Sequence, residues 1–367
     1  MKALTEFIKN KIRRVRFSSL RQFEDSPAVN MTRILLNPKN ILIIPYNRMG
    51  TILLATRVFK SIRDHYPTSS ISVAAYEPWS ALISKDPTID RVFTFGDEIE
   101  DPFSRKFQQI GQMLKEQNFD LTFYLSYQFD PVMAYLIRLA GADLRVAFRN
   151  DYEASYFNVE IVPARGTMYE VERYLEMLRT LGIDGTVRDY TMKINDSIRE
   201  KARMRFLPGY SSSRNNRYAG FDLTKEIAGN PIVKKDAEHA IGTLISGFDA
   251  TVIVFFEPHK KTLAAELKET FGKKCILVED RPISLVAGLM SFCQFVVTHN
   301  TDLFQLAVAL KVPTIGVLTS EEMIQWSPVE NTHLIHLELS GSWPSSTTIN
   351  QTSKQLLTQT GQSVNGQ

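Results

Sequence analysis

Strand-like and helix-like patterns alternate along almost the whole of this chain, and that alternation limits the folds open to it more than any other feature. A β-branched run, Pro38–Ile44, follows a Pro/Asn turn. After a loop at 45–50, a stretch from Thr51 to His65 carries Leu53, Leu54, Val58, Phe59 and Ile62 on one helical face. The pairing repeats as strand Ser70–Ala74, helix Trp79–Lys85, strand Arg91–Phe95, helix Ser104–Gln117, strand Leu121–Leu125 and helix Pro131–Ala140, and helix Glu170–Leu181 closes the series. Successive strands joined through helices run parallel, and a parallel sheet needs helices on both faces.

A polar, apolar-poor stretch, Gly209–Arg217, then interrupts the pattern. Beyond it the alternation resumes: helix Asp236–Ile245, strand Thr251–Phe256, helix Thr262–Phe271, strand Lys274–Val278 and helix Ile283–Phe292. Next come strand Phe295–Thr298, a polar turn His299–Asp302, helix Leu303–Leu310 and strand Thr314–Leu318, with a last helix at Thr348–Thr358. The expected division is a basic extension over 1–37, a first α/β domain over 38–205, a linker over 206–218, a second α/β domain over 219–345, and a helix and tail over 346–367. Two such halves place a ligand cleft between them, at the carboxyl ends of the strands.

At 367 residues and 44% apolar content, the chain can bury two separate cores. A formal charge of +3 gives no field for a polyanion, so no nucleic-acid partner is expected. Two cysteines, Cys275 and Cys293, rule out a disulfide framework and a cysteine-rich zinc site, and six scattered histidines form no paired metal motif. That usage fits a reducing, cytoplasmic setting. No stretch approaches the roughly 20 apolar residues that span a bilayer. Residues 1–20 instead set Leu4, Phe7, Ile8, Ile12 and Val15 at helical spacing among Lys9, Lys11, Arg13, Arg14 and Arg16. Such a helix suits an anionic membrane surface, which would make the protein peripheral on the inner face of the cytoplasmic membrane; packing on the protein's own body, or disorder, is the alternative.

Chemistry concentrates where the strand at Phe295 hands polar residues to the start of a helix. Unpaired N–H groups and the positive dipole end make such a turn an anion pocket. Asn300, Thr301, Asp302, Leu303, Phe304, Gln305, Leu306 and Ala307, followed by Val312-Pro313 and Trp326-Ser327-Pro328, resemble the donor segment of the heptosyltransferase family, glycosyltransferase family 9. Its usual form there is Asp-Thr-Gly-Pro-Met-His-Leu-Ala. The run Asn47-Arg48-Met49-Gly50-Thr51 is similar to the family's Arg-x-Gly-Asp, and Asp86-Pro87, Phe119-Asp120-Leu121 and Met168–Tyr174 follow in family order.

The resemblance implies a GT-B fold, with two Rossmann-like domains whose parallel sheets face an interdomain cleft. It further implies metal-independent, inverting transfer of a heptose-like sugar from a nucleotide sugar, classically ADP-linked, to a lipopolysaccharide-core or other surface-glycan acceptor, which is lipid-linked in the membrane setting. No cofactor beyond that co-substrate is implied. Carried over position by position, Asn300, Thr301, Asp302, Leu303 and Gln305 become donor-binding candidates, and Asn47, Arg48 and Gly50 become acceptor-side candidates. Lys234 and Lys235, with Lys225 as a third, are candidates for the family's phosphate-binding basic run or else belong to a solvated face. Glu257 is a weaker candidate for a donor contact.

The polar groups depart from the family. Its Asp, Gly and His are Asn300, Asp302 and Gln305 here, and its general base is Thr51. A hydroxyl is far too weak a base for that role. Either a carboxylate has moved in, with Asp302 the first candidate, or transfer is slow or absent. A noncatalytic relative acting as a binding or assembly module is therefore the competing expectation. A dinucleotide-dependent oxidoreductase fails because no GxGxxG follows either leading strand.

Overall fold

A computed structural model describes residues 29–45, 49–96, 99, 101–150, 156–186, 192–207, 209, 217–224, 234–279, 282–328, 333–339 and 343–361. The first unit opens with α1 (Met31–Leu36) and continues β1 (Asn40–Pro45), α2 (Met49–His65), β2 (Ser70–Tyr76), α3 (Glu77–Ile83), β3 (Arg91–Phe95), α4 (Arg105–Lys115), β4 (Leu121–Leu125), α5 (Pro131–Ala140), β5 (Leu144–Phe148), β6 (Val159–Ile161) and α6 (Glu170–Thr180). After α7 (Asp196–Phe206) the second runs β7 (Tyr218–Leu223), α8 (Lys234–Phe248), β8 (Thr251–Phe256), α9 (Lys261–Phe271), β9 (Cys275–Glu279), α10 (Ile283–Met290), β10 (Phe295–His299), α11 (Asp302–Ala309), β11 (Thr314–Leu318), α12 (Ser320–Trp326), β12 (Leu334–Glu338) and α13 (Ser346–Gln359).

Both sheets are parallel and six-stranded, ordered β3-β2-β1-β4-β5-β6 and β12-β11-β10-β7-β8-β9. Each reverses direction once, between β1 and β4 and between β7 and β10. Ligands of open α/β sheets bind at such switch points.

Strand alternation shows why the chain folds this way. Ile41 and Ile43 of β1 join one core with α2 and α6, while Leu42 and Ile44 join the other with α4 and α5. In β8, Val252 and Val254 pack on the α8 side and Ile253 and Phe255 on the α10 side. A strand buried on both faces loses the polar alternation of a surface strand and reads as a continuous apolar run.

Helix α7, inside the expected 38–205 domain, packs against α10 of the second unit, and the Met192 N–H donates to Ala309 O at 2.8 Å. The closeness depends on Gly288, where an added Cβ would stand 3.1 Å from Ala202 Cβ and 3.1 Å from Ile198 O. Helix α13 lies on α8, with Ile349, Leu356 and Leu357 in that core. The two units also share apolar surface, since Met49, Leu53 and Leu82 from the first pack with Ile283, Leu303 and Leu306 from the second.

Candidate active site

A cavity of about 400 Å³ opens between the carboxyl edges of the two sheets. The first unit lines it with Met49, Gly50 and Thr51 from the first turn of α2 and with Trp79 from α3. The second contributes Thr224 after β7, Glu257 after β8, Ile283 opening α10, the run Asn300–Leu303, then Gln305 and Trp326. The two switch points therefore face each other across it.

Strand β10 extends through His299, and α11 begins at Asp302, so the expected turn His299–Asp302 shortens to Asn300 and Thr301. Thr301 is the N-cap and accepts from Phe304 N–H. Its own hydroxyl donates inward to Asp222 Oδ2, where the Thr298 hydroxyl also donates at 2.7 Å. The other oxygen, Asp222 Oδ1, accepts the Thr224 N–H at 2.9 Å and its hydroxyl at 2.7 Å. Four donors thus satisfy both oxygens of the fully buried Asp222 side chain, locking the ends of β7 and β10 to the start of α11.

The neighbouring side chains are similarly committed. Asn300 Nδ2 donates to Glu322 Oε1 at 2.8 Å, and Glu322 forms a capping box with Thr319 on α12. Gln305 Nε2 donates to Trp326 O at 2.9 Å. The carboxylate of Asp302 crosses to the first unit, where Oδ1 accepts the Gly50 N–H at 3.1 Å. Glu257 Oε2 lies 3.1 Å from His259 Nδ1. Among the described residues, the lining holds two carboxylates and neither Lys nor Arg.

Of the candidates read from sequence, Gly50, Thr51, Glu257, Asn300, Thr301, Asp302, Leu303 and Gln305 meet at this cavity. Lys234 and Lys235 do not line it. Both sit at the start of α8, where Lys234 Nζ is 2.9 Å from Glu266 on α9, whose hydrogen bond and charge raise the lysine's pKa. Asn47, Arg48 and Lys225, together with residues 1–20, lie outside the described residues. Sequence reading missed Trp79, Thr224, Ile283 and above all Asp222. Among the described residues, no helix is long and apolar enough to cross a membrane, and no group of three or more His, Cys, Asp or Glu could hold a metal ion.

The model of one family, glycosyltransferase family 9 (heptosyltransferase), matches residues 107–354. Lipopolysaccharide heptosyltransferase 3 of Escherichia coli is 23% identical over 300 residues, spanning 77% of this chain and 84% of that protein. Among solved structures, a family 9 glycosyltransferase from Veillonella parvula superposes with a TM-score of 0.76 at 16% identity, covering 88% of this chain and 98% of the other. An Escherichia coli heptosyltransferase solved with ADP gives 0.66 at 18% identity, covering 86% and 99%. At these identities the structural likeness shows the fold, a GT-B pair of Rossmann-like units.

Proposed function

The chain belongs to glycosyltransferase family 9, and from that membership we propose that it transfers a heptose-like sugar from a nucleotide sugar to a lipopolysaccharide-core or other surface-glycan acceptor. The relatives support the substrate classes: one is a lipopolysaccharide heptosyltransferase and another was solved with ADP, which favours an ADP-linked donor. The observation that carries the reading is the cavity shared by the α11 and α2 helix starts at the two switch points. The donor diphosphate lies over the first turn of α11, and the acceptor hydroxyl approaches from the Gly50 and Thr51 side.

Transfer inverts the anomeric carbon. The acceptor oxygen attacks as its proton passes to a base, and the nucleoside diphosphate departs with the electron pair of the broken bond. Backbone N–H groups and helix dipoles stabilise the leaving charge, so no metal is required. The reaction occurs on the cytoplasmic side of the membrane that holds the lipid-linked acceptor, with residues 1–20 lying on its anionic surface.

Thr51 leaves the usual base position with a hydroxyl. Removing a general base costs about 10²–10⁴-fold in rate, so wild-type transfer is expected to be slow. A thermal-shift screen of nucleotide diphosphates and nucleotide sugars identifies the donor, because a ligand specific to the folded state raises its melting temperature. With that donor and candidate acceptors, Thr51→Asp should gain transfer activity. Robust wild-type activity that Thr51→Asp leaves unchanged or lowers would refute the missing-base account and point to Asp302.

A second reading, a noncatalytic binding or assembly module, has its own support. The amide nitrogens of Asn300 and Gln305 are engaged internally, and two carboxylates line the cavity. Nucleotide binding without transfer by either wild type or Thr51→Asp would decide for it.

A further inference from the structure

The carboxylate of Asp302 stands between two positive helix ends. Asp302 is the first residue of α11 after the Thr301 cap, and its Oδ1 accepts the Gly50 N–H from the first turn of α2 at 3.1 Å. Each helix start carries roughly half a positive charge, and first-turn N–H groups lack partners within their own helix. Helix starts take up phosphate by these same features. Here a side chain of the opposite unit has taken that place.

The contact is tight and lies at the joint between the units. A Cβ on Gly50 would stand 3.0 Å from Asp302 Oδ1 and 3.3 Å from Gln305 Cγ, so glycine permits the approach. Beside it, Met49 and Leu53 of α2 pack with Leu303 and Leu306 of α11. Glu257 adds a second carboxylate to the same cavity. A diphosphate settling over the first turn of α11 therefore meets two carboxylates, one of them standing at that helix start and bonded across to Gly50.

We propose that Asp302 is an internal anion that latches the cleft: bonded across to the Gly50 N–H, its carboxylate occupies the space over the start of α11, and a nucleoside diphosphate binds there by displacing it from Gly50. The proposal rests on the transferase reading and specifies what governs donor entry to that site. No covalent bond changes; one anion gives way to another at the start of α11. Closure and donor affinity oppose each other, because the contact that joins the units also guards the pocket.

Two variants separate charge from contact. Asp302→Asn keeps the size of the side chain and an oxygen able to accept the Gly50 N–H. Asp302→Gly removes both. Calorimetric titration of ADP, UDP, GDP and CDP into wild type and both variants, with small-angle scattering of the unliganded forms, reads the outcome. Asp302→Asn should bind its preferred diphosphate about tenfold more tightly than wild type, the effect of removing one like charge from the site. Asp302→Gly should bind at least as tightly and show a larger radius of gyration; should it fail to fold, the Asn variant carries the test. Affinity in Asp302→Asn equal to or weaker than wild type overturns the proposal and leaves the transferase reading standing. Binding of no diphosphate by any of the three forms overturns that reading, and the latch falls with it.

Discussion

Two aspartates, both held by hydrogen bonds, serve this site in opposite ways. Asp222 faces inward and is fully buried, and its partners are the Thr224 backbone and the hydroxyls of Thr224, Thr298 and Thr301. Asp222→Ala strands several buried donors at once, at about 1–3 kcal/mol for each left unsatisfied. Urea unfolding should show a loss of at least about 3 kcal/mol, and a loss below about 1 kcal/mol would show that the network does not fix the α11 start. Asp302 faces the cavity and the other unit. Its position was legible because a resemblance named it; its bond to Gly50 was not, since the two residues lie far apart in the chain. Asp222 was missed for a related reason. A lone acid in Tyr218–Leu223 looks like a strand breaker until Thr298 and Thr301, far along the chain, are brought to it beside its neighbour Thr224. The Lys234 ion pair was equally hidden: a charge run does not reveal that Glu266 waits on the neighbouring helix.

At the scale of elements, apolar runs carried most of the fold. Strands Leu121–Leu125, Thr251–Phe256 and Thr314–Leu318 stand where the pattern puts them, because burial on both faces removes ambiguity, and Arg91–Phe95 does so as an edge strand exposed at Arg91 and Thr94. Strand β5 escaped notice because Arg145 interrupts it, although that guanidinium is buried against the Tyr156 and Ala142 carbonyls. Helix α7 buries Ala202 alone among the residues of its helical span, so its periodic signal is faint. Its place against α10 depends on a missing side chain at Gly288. Gly288→Leu should cost about 1–3 kcal/mol by overpacking that contact, measured as a lower chemical-denaturation midpoint. An unchanged midpoint would mean α7 docks by other surfaces.

At the scale of the whole molecule, two Rossmann-like units meet over an apolar joint with the cavity between their carboxyl edges. The two-unit plan was legible in the sequence, whereas the packing of α7 on the second unit was not, because a helix that buries Ala202 alone gives little periodic signal of its partner. Membrane attachment is a separate question. If residues 1–20 form a basic amphipathic helix, full-length protein should co-sediment with anionic vesicles and release with salt, while a 1–30 deletion should stay in the supernatant. Equal binding by the two forms would remove any role for that segment. The central claim is that the cavity between the units is the donor site, and a crystal structure with the nucleoside diphosphate that stabilises the protein most tests it directly. The account predicts its phosphates over the first turn of α11, facing Gly50 and Thr51, and a nucleotide bound elsewhere on the protein would contradict it.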